Sequence, residues 1–71
     1  MIKVLLSGVG RRVELVNFFK ENGFYVISLD IDLTAPALYF SNKFYKNFKF
    51  NDPYFISNIV DIINKEGIDI A

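Results

Sequence analysis

Two short apolar runs, Ile2–Leu6 and Phe24–Leu29, each stop abruptly, the first at Ser7-Gly8 and the second at Asp30, and a stretch with helical spacing lies between them. This alternation constrains the fold more than any other feature. A run that is apolar at successive positions, rather than at every second one, reads as a strand buried on both faces of a parallel sheet. Such a strand needs helices above and below it, and a helical connection is what parallel pairing requires.

In the connecting stretch Arg12–Asn22, Leu15, Val16, Phe18 and Phe19 fall on one side at about 100° per residue. Glu14, Asn17, Lys20 and Glu21 fall on the other, and Val13 lies off the stripe. Asn22-Gly23 is a helix stop, with Gly at the left-handed position. After the second run, Thr34-Ala35-Pro36 can start a short helix over Ala37–Ser41, and Phe44-Tyr45-Lys46 reads as a short third strand. Asn47–Asn51 is a loop. Asp52-Pro53 then predicts a helix start, with Asp capping free amides and Pro at the first helical position. Ile56, Ile59, Val60 and Ile63 recur at i, i+3, i+4 and i+7, which predicts a buried stripe on a helix over 53–66. Gly67 ends it, and Ile68–Ala71 begins a fourth strand.

The expected architecture is α/β: a Rossmann-like parallel sheet in the order β-α-β-(short α)-β-α-β, three layers, with right-handed crossovers, incomplete at its C-terminal end. The last helix serves to return the chain to the sheet, yet the sequence stops four residues into the strand it leads to. Residues 1–71 are therefore expected to be the N-terminal part of a longer protein.

Composition excludes several chemistries. The 71 residues contain no cysteine and no histidine, so disulfides, zinc sites and Ser–His or Cys–His pairs cannot form within them. Eight basic residues balance eight acidic ones, which gives no general attraction to nucleic acid or to anionic lipid. At 52% hydrophobic residues the chain is too apolar for a disordered tail. Its first apolar run is far shorter than the ~20 residues a membrane span needs, and no signal-peptide cleavage site follows. A soluble, cytoplasmic chain is expected, binding neither nucleic acid nor membrane.

Three segments are candidates for function. The first is Ser7-Gly8-Val9-Gly10-Arg11-Arg12, the turn between the first strand and the first helix. In doubly wound sheets this turn faces the ligand crevice. Gly8 and Gly10 would let an anion approach the backbone, and helix amides would point at it. Arg11 and Arg12 stand where cations oppose the helix dipole, which costs roughly 0.3–1 kcal/mol each if exposed; a bound anion would reverse that. The bland alternative is a tight turn with two solvated arginines. As a dinucleotide fingerprint the turn is incomplete, because Val13 stands where the third glycine belongs.

The second candidate is Asp30-Ile31-Asp32. Asp30 follows Gly8 by 22 residues, close to the ~20 expected of a ribose-binding acid. Asp30 or Asp32 could accept from sugar hydroxyls or pair with Arg11 or Arg12, or an Asp could simply cap local amides. Two carboxylates without other oxygen ligands make a poor magnesium site. The third candidate, Lys43–Phe50, interleaves lysines with aromatics as single-strand nucleic-acid platforms do. With zero net charge the preferred reading is an edge strand with inward aromatics and lysines guarding the edge.

Taken in order, Lys3–Arg12, Asp30-Ile31-Asp32, Ala35-Pro36-Ala37-Leu38-Tyr39, Lys43-Phe44-Tyr45 and Asp52-Pro53-Tyr54 resemble the N-terminal, pre-ATP-grasp domain of ATP-grasp ligases similar to the large subunit of carbamoyl phosphate synthase. The resemblance spans essentially the whole chain. It implies a Rossmann-like first lobe followed by two lobes that clamp ATP and Mg2+ and activate a carboxylate as an acyl phosphate. By that resemblance the lysines and acids that hold ATP and magnesium lie in those later lobes, so no catalytic residue is assigned here. The first lobe would line the acceptor-substrate side of the cleft, at Gly8, Gly10, Arg11 and Arg12 with Asp30 and Asp32 opposite. Expected partners are the remaining lobes and a small carboxylate, with a homodimer possible. The competing readings are an NAD(P)-binding domain of an oxidoreductase or epimerase, and a non-catalytic association module that pairs through its open sheet edge.

Overall fold

The computed structural model describes residues 1–71. Its elements are β1 (Lys3–Ser7), α1 (Val13–Glu21), β2 (Tyr25–Asp30), a 3-10 turn of helix at Pro36–Phe40, β3 (Lys43–Lys46) and α2 (Phe55–Glu66). The three strands form one parallel sheet in the order β1-β2-β3. Ile70 bridges Val4 in parallel, with Leu5 N–H donating to the Ile70 carbonyl at 2.8 Å and Asp69 N–H to the Lys3 carbonyl at 2.9 Å. These bonds use the edge of β1 opposite to β2. The expected fourth strand is thus present as a single bridge, and the order of chain segments across the sheet is that of one half of a doubly wound fold.

Alternation along the strands sorts side chains into two cores. Val4 and Val26 face α1 and the 3-10 segment, packing with Val9, Val16, Ala35, Ala37 and Leu38. Leu5, Ile27 and Leu29 face the other way, against Ile62 of α2. The sheet is covered on both sides, as its continuous apolar runs require.

Both helices present a face rotated from the one their spacing predicts. On α1, Val16 is fully buried, and Val13 and Phe19 pack against the core, whereas Phe18 is exposed and only edges onto the ring of Phe19 at 5.7 Å. Val13 belongs to the buried stripe because it anchors the first turn over Val9. On α2, Ile62 is buried with Ile59 and Ile63 beside it, whereas Ile56 and Val60 are exposed. Four isoleucines and a valine within two turns admit more than one stripe, and the sheet selects the one centred on Ile62. The helix also begins later than expected. Asp52 Oδ1 accepts from Tyr54 N–H at 2.8 Å, so Asp52 caps a turn over 52–54, and α2 starts at Phe55 with Tyr54 as its N-cap and no side-chain cap. At the other end, Gly67 takes the left-handed conformation (φ 65°), as its position predicts.

Where β3 begins, Glu66 at the end of α2 accepts from Lys43 Nζ at 2.7 Å and from the Tyr45 hydroxyl. The carboxylate side chain is 9% exposed, and these donors hold its pKa below the ordinary 4.5, with Lys43 the larger cause and Tyr45 the next. Lys43 is raised above its ordinary 10.5, chiefly by the bond to Glu66. A lowered carboxylate contributes stability that is complete above its unfolded pKa and is lost as pH falls through the folded value. A raised ammonium contributes stability that is complete below its unfolded pKa and is lost as pH rises through the folded one. Glu66→Gln is therefore expected to lower the melting temperature by a constant amount between about pH 5 and 9, with the difference shrinking below pH 4.5. A difference that stayed constant down to strong acid would show that the pair contributes nothing through its charge.

Candidate functional site

The turn after β1 and the end of β2 are joined by Asp30. Strand parity directs the Asp30 side chain to the α1 side of the sheet, the side of Val26 and Ser28. There it is 9% exposed. Its Oδ2 accepts from Gly10 N–H at 2.7 Å and its Oδ1 from Asp32 N–H at 3.0 Å. Of the three roles open to Asp30 in the sequence, the structure shows it capping amides.

The glycine turn is correspondingly closed. Gly8 and Gly10 adopt φ of 64° and 51°, a region L-residues with side chains rarely occupy. Gly8 N–H and Val9 N–H both donate to the Leu29 carbonyl, Arg12 N–H to the Val9 carbonyl and Val13 N–H to the Arg11 carbonyl. With Gly10 N–H taken by Asp30, the turn does not offer the row of bare amides expected from its glycines. The N–H groups left without a protein partner are those of Arg11, Glu14 and Leu15, at the open end of α1.

Asp32 stands beyond Asp30 at the mouth of the cleft. Its Oδ1 accepts from the Thr34 hydroxyl at 2.6 Å and from Thr34 N–H at 2.9 Å. These bonds lower its pKa, the hydroxyl being the larger cause, so it is a carboxylate at neutral pH. Its second oxygen has no protein partner. Neither arginine pairs with either aspartate; the ion pair within the fold is Lys43–Glu66. Arg11 nevertheless lines a cavity of about 350 Å³ with Gly10, Asp30, Asp32 and Thr34. Arg12 does not reach that cavity and lies along the start of α1 with Glu14 and Leu15. The structure thus gathers Gly10, Arg11, Asp30 and Asp32 into one place, leaves Arg12 outside it, and puts Gly8 on the other side of Asp30, at a larger cavity.

That second cavity, about 530 Å³, opens between the carboxyl ends of the strands and the start of α2. Asp30 is the wall between the two. Ser7, Asn47, Phe48, Phe50 and Phe55 line it with Gly8. In the sequence Asn47–Asn51 reads as a loop, and Lys43–Phe50 reads as an edge strand in preference to a nucleic-acid platform. The one signal available was an asparagine directly after a strand, and that is common in turns.

A bound nucleotide phosphate does not fit these residues. The glycine amides that would cradle it are engaged, and Val13, at the position of the third fingerprint glycine, packs into the core. No group of three or more acidic side chains is placed to hold a metal ion. No helix is long and apolar enough to cross a membrane. Lys43–Lys46 is the edge strand, with Tyr45 turned toward α2 and Phe44 half-exposed against Tyr39.

A covered parallel sheet with its clefts at the carboxyl ends of β1 and β2, on either side of the glycine turn, defines a Rossmann-like domain. The model for the family of PylC-like proteins, N-terminal domain, matches residues 4–71. The chain belongs to that family, and so is the pre-ATP-grasp, N-terminal domain of an ATP-grasp ligase. Comparison with curated proteins gave no match.

Proposed function

We propose that this domain forms the acceptor-substrate wall of a ligase that activates a carboxylate as an acyl phosphate, in the manner of carbamoyl phosphate synthase, and that Arg11 receives an anionic group of the substrate. The observation that supports this is an unpaired guanidinium lining the same cavity as the closed glycine turn and Asp32. Arg11 there has no internal counter-ion, so a substrate anion would bind without first breaking a salt bridge. It also lies near the positive end of α1, where a negative charge is favoured. The second oxygen of Asp32 is free to accept from a hydroxyl or ammonium on the same substrate. ATP and magnesium would be held by the other lobes, since the residues of this one do not fit them. What this domain supplies is position: it fixes the substrate anion so that the reacting carboxylate meets the nucleotide in line.

In the full-length ligase, Arg11→Ala is expected to raise KM for the carboxylate substrate roughly 10- to 100-fold, the range for losing one charge-assisted hydrogen bond. Arg12→Ala, outside the cavity, is expected to change it less than about threefold. Steady-state kinetics at saturating ATP, with circular dichroism to check the fold, separates the two. Equal effects of the two substitutions would defeat the assignment.

A further inference from the structure

The cavity on the α2 side of Asp30 carries a polar group that the fold itself does not use. Asn47 follows the last residue of β3 and is 6% exposed. Its backbone N–H donates to the Asp30 carbonyl at 2.9 Å. Its side-chain Oδ1 accepts from Phe48 N–H at 2.8 Å and from Asn58 Nδ2 at 2.9 Å. The orientation of the amide is fixed by these bonds, because a backbone N–H can only donate and so must face the oxygen. Nδ2, with two donors, therefore points away from its own loop and meets no protein acceptor. No fully enclosed side-chain polar atom in the fold lacks a partner, so this nitrogen opens onto the space it lines, the cavity of about 530 Å³. Nothing in the folding of this loop requires the NH2: an oxygen alone would satisfy Phe48 and Asn58.

The rest of the lining gives the shape of what would accept from it. Phe48, Phe50 and Phe55 supply its aromatic lining. Phe50 is 84% exposed although its position does not require an aromatic for packing. The Ser7 hydroxyl is a second polar point at the end of β1. Asp30 and Lys49 also line the cavity; both Asp30 oxygens already accept from backbone amides, and Lys49 makes no ion pair within the fold. We propose that this cavity is a second ligand subsite, distinct from the Arg11 cavity, that takes a planar ring bearing a carbonyl or ring-nitrogen acceptor, held by Asn47 Nδ2 and packed among the three phenylalanines.

Benzamide has this chemistry, and toluene offers the same ring without the acceptor. Saturation-transfer NMR titrations of both against the full-length protein are expected to show saturable binding of benzamide and weaker binding of toluene. Asn47→Asp keeps the oxygen that Phe48 N–H and Asn58 need and removes both donors, so it is expected to leave the fold intact and weaken benzamide roughly fivefold to tenfold. Phe50→Ala removes an exposed ring wall with no fold dependence and is expected to weaken both probes. Arg11→Ala is expected to leave benzamide binding unchanged, which separates this subsite from the anion site proposed above. Absence of saturable benzamide binding, equal affinity for toluene, or affinity unaffected by Asn47→Asp or by Phe50→Ala would each overturn the proposal. So would competition showing that another lobe of the protein already fills the cavity.

Discussion

Replacing Asp30 with alanine is expected to destabilise the fold by about 1–3 kcal/mol, through two partly buried backbone amides left without an acceptor. Gly10 N–H and Asp32 N–H both donate to this carboxylate, and Asp30 is 9% exposed, so water cannot fully replace it. A domain of this length has a total stability of roughly 4–11 kcal/mol, and the loss is a large share of that. The expected fall in melting temperature is roughly 5–25 °C, read by circular dichroism. Asp30→Asn keeps one oxygen and turns an NH2 toward the other amide, so its loss should be smaller. Asp32→Asn, at an exposed position, should change the melting temperature little. If Asp30→Ala melted with the wild type, the glycine turn would have to find other acceptors, and its closed geometry would not depend on Asp30. Because the same carboxylate separates the two cavities, its removal should also disturb binding on both sides.

The second large effect lies on α2. Ile62→Ala is expected to cost about 2–5 kcal/mol, the range for truncating a buried aliphatic side chain and leaving a cavity. Ile62 is 4% exposed and packs with Leu5, Ile27 and Leu29. Ile56→Ala, at a side chain that is 64% exposed, is expected to fall within about 0.5 kcal/mol of wild type. Equilibrium urea unfolding of both variants reads the difference directly, and comparable losses at the two positions would mean that α2 sits on the sheet in a different rotation.

This pair of substitutions marks where the sequence stopped being legible. The existence of α2 follows from Gly67 and from an apolar period that no strand could use. Its buried face does not, because Ile56, Ile59, Val60, Ile62 and Ile63 contain two overlapping stripes of similar hydrophobicity. The sheet decides between them, since the only apolar surface available is that of Leu5, Ile27 and Leu29. The start of α2 differs from its sequence signal for a related reason. Asp52-Pro53 has the chemistry of a helix cap, but its Asx bond to Tyr54 closes a separate turn first.

The candidate site divides in the same way. That ligands should meet this fold at Gly8–Arg12 and at Asp30-Ile31-Asp32 could be read from the end of one strand and the end of the next. Which groups remain free there could not. Gly10 N–H looked available and is bonded to Asp30. Arg11 and Arg12 are neighbours in sequence, and only the first faces the cavity. Asn47 looked like an ordinary turn residue, and its unpartnered NH2 appears only once Phe48 and Asn58 are in place around its oxygen.

By itself the amino-acid sequence determined the class of fold, the number and order of the elements and the two turns where chemistry could sit. Period and punctuation are local properties, written residue by residue along the chain. Tertiary structure alone decided which face of each helix is buried, which amides and carboxylates are already spent on one another, and which arginine lines the cavity with Asp32. Those outcomes depend on hydrogen bonds and contacts between segments some 20 residues apart, such as Gly10 and Asp30, and no local pattern records how they pair.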